Sequence, residues 1–171
     1  MSKFFQRRRV YRWLREIAVL LVLAAALMWG VDRFRSPTLL DTFSGMAVQT
    51  IDGQRLDLAA LSDKRPLLVY VWATWCSVCR YTTPAVEKLA GQGENVVSIA
   101  LRSGDDARLA QWMHKKQLTM PVVNDARGEL AQRWQVGVTP TIIIVSQGRP
   151  VSVTTGWTSY WGMKARLWAN R

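Results

Sequence analysis

Cys76 and Cys79 are the only cysteines in 171 residues, and their C-x-x-C spacing sets the chemistry open to them. Two thiols this close can form and reopen a disulfide, exchange it with another molecule, or hold a soft metal ion. A single pair cannot build a disulfide framework, and a four-ligand zinc site needs more Cys or His than the chain has. His114, the one histidine, falls in a polar helical stretch where a solvated role is expected. The pair is therefore a redox centre or a structural bond.

The surrounding residues favour the first. In Trp72-Ala73-Thr74-Trp75-Cys76-Ser77-Val78-Cys79 the pair directly follows an almost wholly apolar run, Leu67 to Trp72. That run reads as a central strand covered on both faces. A helix is predicted from Cys76 to about Ala90, closed by Gly91. Cys76 would then sit at the first helical residue, where unpaired backbone N–H groups and the helix dipole stabilise a thiolate. Cys79 would lie one turn further in and be less exposed. On that basis Cys76 attacks or is attacked, and Cys79 resolves the mixed disulfide.

Three further features agree. Pro84 lies five residues after Cys79, where it would kink the helix. Thr139-Pro140 precedes an apolar strand, and an X-Pro bond there can be cis, leaving the Thr139 backbone free to pair with a substrate chain. Trp72 and Trp75 would supply apolar surface around the thiols. Each alone has a plain structural reading; together they point to exchange chemistry.

The elements that must hold these residues can be read from the rest of the sequence. Residues 43–58 read as a hairpin turning at Asp52-Gly53, and 58–63 as a short turn. Residues 95–101 read as a second central strand, 105–117 as a helix, and Val122-Val123 as a short strand. Residues 128–135 form a brief helix before Thr139-Pro140. Residues 142–145 and 151–155 form a hairpin around Gln147-Gly148, and 158–169 a closing helix. The order predicts an α/β domain whose mixed sheet carries helices on both faces, with an added N-terminal β-hairpin.

The net charge of +11 suggests nucleic acid, but its distribution argues otherwise. Residues 1–35 hold eight Lys/Arg against Glu16 and Asp32, and the remaining basic residues are scattered, with no basic stripe interleaved with aromatics. Lys3, Arg7, Arg8, Arg9, Arg12 and Arg15 precede an apolar run from Ile17 to Val31, flanked by Trp13 and Trp29. An excess of cations ahead of an apolar run places the N-terminus in the cytoplasm and the residues beyond the run outside it. Extended back to Trp13, the run reads as an uncleaved transmembrane signal anchor over 13–31. A cleaved signal peptide is the competing reading, since Ala24-Ala25-Ala26 resembles a cleavage site. The chain thus divides into a basic segment and anchor at 1–35, a linker at 36–41, and one domain at 42–171.

Residues 66–84, Pro-Leu-Leu-Val-Tyr-Val-Trp-Ala-Thr-Trp-Cys-Ser-Val-Cys-Arg-Tyr-Thr-Thr-Pro, resemble the active-site segment of the membrane-tethered, TlpA-like thioredoxins of Gram-negative bacteria. The likeness runs from about Phe43 to the C-terminus, and within the family is greatest to the suppressor-of-copper-sensitivity D type. It implies a thioredoxin fold, with Cys76 and Cys79 as the redox pair and Pro140 as the cis-proline. It also implies protein substrates, a transmembrane electron donor, a domain on the periplasmic side of the inner membrane, and a link to copper tolerance. Beyond the cysteine pair no cofactor or metal is expected.

Three positions depart from family patterns. Thr82 stands where the cytochrome-maturation members carry an acid, and Tyr70 where ordinary thioredoxins bury an aspartate. Ser77-Val78 matches neither Gly-Pro of strong reductants nor Pro-His of strong oxidants. The reducing direction is expected because the tether and the TlpA-like pattern resemble reductive members. The alternative is a Cu(I)-binding or copper-delivery module using both thiolates, with Met46 and Met120 as possible helpers. Copper-inserting relatives generally use C-x-x-x-C and a distant His, which counts against it. A peroxiredoxin is disfavoured because Thr74 lies two residues before Cys76, where three are expected.

Overall fold

The computed structural model describes residues 13, 15–20, 22–23, 26–27, 43 and 46–171. They fall into two units that divide between residues 36 and 37. In the first, the described residues are helical and exposed. Among the described residues no helix is long and apolar enough to cross a membrane. Positions 14, 21, 24–25 and 28–31 of the expected span lie outside them, as do the basic segment before Trp13 and the linker at 36–41.

The second unit begins with the expected hairpin, β1 (Ala47–Gln49) against β2 (Arg55–Asp57), in register Val48 to Leu56. Its turn places Gly53 at φ +86°, a conformation that favours glycine. In place of the expected turn after it, a short helix forms, α1 (Leu58–Leu61). The Asp57 carboxylate caps it, accepting from the backbone N–H groups of Ala59 at 2.9 Å and Ala60 at 3.2 Å.

The main sheet has five strands: β3 (Leu67–Trp72), β4 (Val96–Leu101), β5 (Val122–Asp125), β6 (Thr141–Ser146) and β7 (Arg149–Thr155). Their spatial order is β5-β4-β3-β6-β7. β3 runs parallel to β4, and β4 to β5, whereas β6 is antiparallel to β3 and to β7. The central strand is thus the most apolar one, and all six of its residues are buried. The parallel pairs need crossovers, supplied by α2 (Cys79–Gly91) and α3 (Asp106–Lys115). The helices α4 (Glu129–Arg133) and α5 (Tyr160–Ala169) complete the domain. Buried Asp125 at the end of β5 accepts from the N–H groups of Leu130 and Ala131, which anchors α4.

Alternation along β3 divides the core in two. Leu68, Tyr70 and Trp72 join Val86, Leu109 and Met163 under α2, α3 and α5. Leu67, Val69 and Val71 face the other way, onto Phe43, Leu58 and Trp134. Tyr70 and Trp72 therefore lie on the face that carries the cysteines.

Candidate active site

The chain leaves β3 at Trp72 and winds through turns before α2 begins. The helix starts at Cys79, with Val78 as its cap residue, rather than at the expected Cys76. The delay has a local cause: the Cys76 N–H donates to the Ala73 carbonyl at 3.2 Å, closing a turn around the first cysteine. The expected amide-to-sulfur contact survives from a different position. The Cys79 N–H lies in the first helical turn and has no carbonyl partner within the helix. It donates to Cys76 Sγ at 3.1 Å. Cys76 is joined to Cys79 in a disulfide, with Cα atoms 5.3 Å apart.

The cysteines are less unequal in exposure than expected. Cys76 is 7% exposed and Cys79 2%, so the first thiol is recessed rather than presented at the helix tip. Its surroundings are open: Trp75 is 62% exposed, and Ser77 and Val78 stand in solvent. The loop is held from behind by the segment after β4. Trp75 Nε1 donates to the Arg102 carbonyl at 3.1 Å, and the Thr74 N–H to Ser103 Oγ at 3.0 Å.

Both cysteines border a cavity of about 290 Å³. Trp72 lies at its wall, fully buried, 6.2 Å between centroids from parallel-stacked Tyr70 and 5.1 Å from Trp112. Pro84, inside α2, also borders the cavity, and lacking an N–H it leaves the Arg80 carbonyl without its helical donor. Beneath Cys79 a chain of hydroxyls replaces the carboxylate seen in ordinary thioredoxins. Thr83 Oγ1 donates to the Cys79 carbonyl at 2.8 Å, and the Tyr70 hydroxyl lies 2.8 Å from that same Oγ1. Since the one proton of Thr83 goes to the carbonyl, Tyr70 is the donor to Thr83. Burial pushes the Tyr70 phenol well above its ordinary pKa, so it stays protonated.

Thr139-Pro140 lies on the other side of the strand end. The register pairs Val71 with Thr141, which sets the residues before Thr141 beside the chain leaving β3. The Thr139–Pro140 bond is cis, and the Pro140 carbonyl accepts from the Gly156 N–H at 2.8 Å. The backbone of Thr139 makes no hydrogen bond among the described residues. Exposed Val138 and Trp157 flank this element. Neither Thr139 nor Pro140 borders the cavity.

The copper alternative loses its helpers. Met46 Sδ accepts from Trp134 Nε1 at 2.9 Å, and Met120 is packed into the core. His114 is exposed near the end of α3. Sequence reasoning does not single out Thr83, Arg80, Trp112 or Lys116, all of which border the cavity. Only Arg80 and Thr83 lie in the conspicuous segment, and the other two arrive from α3 and its end with no motif to announce them.

Comparison with known proteins agrees with this geometry. A model of the AhpC/TSA family matches residues 40–153. A thioredoxin-like protein of Haemophilus influenzae is 44% identical over 137 residues, covering 80% of this chain and 82% of its own. The thiol-disulfide oxidoreductase ResA of Oceanobacillus iheyensis is 24% identical over 153 residues, covering 82% and 79%. The exposed lipoprotein thioredoxin Etrx1 of Streptococcus pneumoniae superposes with a TM-score of 0.65 at 20% identity, over 72% of this chain and 98% of that one, which shows the thioredoxin-like fold. The chain belongs to the AhpC/TSA family, as a thioredoxin-like thiol–disulfide oxidoreductase whose redox pair is Cys76 and Cys79.

Proposed function

We propose that the chain reduces disulfides of protein substrates on the periplasmic side of the inner membrane, held there by residues 13–31 and recharged by a transmembrane electron donor. The observation that carries the exchange chemistry is the Cys79 N–H directed at Cys76 Sγ. Once the pair is reduced, that amide stabilises charge on Cys76 and favours it as the attacking sulfur.

The thiolate of Cys76 attacks one sulfur of the substrate disulfide, and the bond to the other sulfur breaks. The released substrate thiolate takes a proton from solvent. Cys79 then attacks Cys76 within the mixed disulfide, which frees the second substrate thiol and re-forms Cys76–Cys79. Two electrons pass to the substrate, and a dithiol donor must return them. Thr139 offers an unpaired backbone edge for the substrate chain, and exposed Trp75, Val78, Val138 and Trp157 offer apolar contact around it.

The six cations ahead of Ile17 and the apolar run after it support the orientation. The likeness to tethered, reductive TlpA-like thioredoxins supports the direction and the link to copper tolerance. The exchange is tested with the full chain in detergent, by insulin reduction driven by dithiothreitol. Activity above the uncatalysed rate that Cys76→Ser abolishes is the expected result, and the same rate in Cys76→Ser contradicts it. Direction is tested by trapping thiols in cells: a mainly reduced pair supports it and a mainly oxidised pair contradicts it. A deletion strain no more sensitive to copper than its parent would remove the copper link.

A further inference from the structure

We propose that the cavity beside the disulfide is a specificity subsite for an acidic side chain of the substrate polypeptide, a proposal that rests on the exchange reading above. The cavity, about 290 Å³, can take a side chain entering beside the cysteines. Its lining contains two cations, Arg80 and Lys116, and no Asp or Glu. Neither cation makes a side-chain hydrogen bond or ion pair among the described residues. The nearby acid of α2, Glu87, is committed elsewhere, accepting from the backbone N–H groups of Thr119 at 2.9 Å and Met120 at 3.1 Å.

A third donor lies in the same wall. Trp72 borders the cavity and is fully buried, yet its indole Nε1 has no hydrogen-bond partner among the described residues. A buried donor left unpaired is costly. The remaining wall includes Trp112, Leu118 and Pro84, apolar surface for the methylene groups of a Glu or Asp. Cations without acceptors, set among apolar walls, fit a carboxylate on a short alkyl stem. A substrate held on Cys76 as a mixed disulfide brings the residues flanking its cysteine to this opening. The subsite thus selects protein disulfides with an acid beside the reacting cysteine.

The test uses the full chain in detergent, dithiothreitol, and two synthetic peptides carrying the same internal disulfide, with Glu or Gln beside the cysteines. The wild type is expected to reduce the Glu peptide with a kcat/KM about tenfold above that for the Gln peptide, the scale of one charge-assisted hydrogen bond. In Arg80→Gln and Lys116→Gln the ratio should fall, through KM, and in the double variant it should approach one. Both positions are exposed, so the fold should tolerate the changes. Equal turnover of the peptides by the wild type, or a ratio that persists in the double variant, overturns the subsite. A stronger preference for oxidised glutathione than for either peptide, lost in the double variant, overturns it in favour of a small anionic disulfide. Reduction of neither peptide overturns the exchange reading itself, and the subsite with it.

Discussion

The hydroxyl of Tyr70 donates to Thr83 Oγ1 at 2.8 Å, and through it braces the Cys79 carbonyl from below. Where ordinary thioredoxins place a carboxylate that can carry a proton, this chain places a phenol held protonated by burial. Tyr70 therefore does not carry the proton released or taken up during exchange.

Tyr70→Phe removes a buried donor while Thr83 keeps its bond to the Cys79 carbonyl. Urea unfolding should show a loss of about 1 kcal/mol, and exchange with insulin should persist. The pH dependence has a definite sign. The folded pKa lies above the unfolded value of about 10, so Tyr70 destabilises the fold only once the unfolded chain ionises. Its contribution is intact below about pH 10 and is lost as pH rises further. Wild-type stability should fall more steeply than that of Tyr70→Phe in this alkaline range, and parallel curves would contradict the assignment.

Thr82 is fully buried and its Oγ1 has no hydrogen-bond partner among the described residues. Replacing that hydroxyl with a methyl of similar shape removes an unpaired polar atom from the core. Thr82→Val should therefore raise stability by roughly 1 kcal/mol in chemical denaturation. A loss of stability would show that the hydroxyl is satisfied in solution.

Trp75 carries exposed apolar area beside the disulfide, anchored by its indole bond to the Arg102 carbonyl. Trp75→Ala should raise KM for a protein disulfide roughly fivefold or more, as truncation of an anchoring aromatic does. Reduction of a small aromatic disulfide should change much less. Equal losses on both substrates would make Trp75 a support for the loop rather than a substrate contact.

Ser103 Oγ accepts from the Thr74 N–H and donates to the Leu101 carbonyl, so it ties the cysteine loop to the end of β4. Ser103→Ala leaves the Thr74 N–H unpaired and should cost about 1–2 kcal/mol of stability. Unfolding midpoints by circular dichroism would register it, and an unchanged midpoint would contradict the tie.

The parts of the fold legible in sequence are those written in contiguous residues. Leu67 to Trp72 reads as a central strand because nearly every side chain is apolar, and all six are buried. Gln147-Gly148 reads as a tight turn, and it adopts positive φ at both residues. The start of α2 is not legible because the turn closed by Cys76 N–H on the Ala73 carbonyl competes with the helix, and no residue type announces it. Helix α1 is hidden because Asp57 ends a strand and caps a helix at once. The spacing predicts Cys76 at the surface, but the tertiary fold recesses it into the core that holds Trp72, with Trp112 packed against it. Tyr70 and Thr83 are thirteen residues apart and Arg80 and Lys116 thirty-six, so only the β3–α2–β4–α3 crossovers bring such pairs to one place.

Exposure differs little between the two cysteines, so the division of roles rests on the amide of Cys79 pointing at Cys76. Trapping a disulfide substrate on single-cysteine variants of the full chain tests this most directly. Cys79→Ser should accumulate a covalent adduct on Cys76, seen as a mass shift reversed by dithiothreitol, while Cys76→Ser should accumulate little. An adduct that forms as fast on Cys79 in Cys76→Ser would contradict the assignment of Cys76 as the attacking thiol.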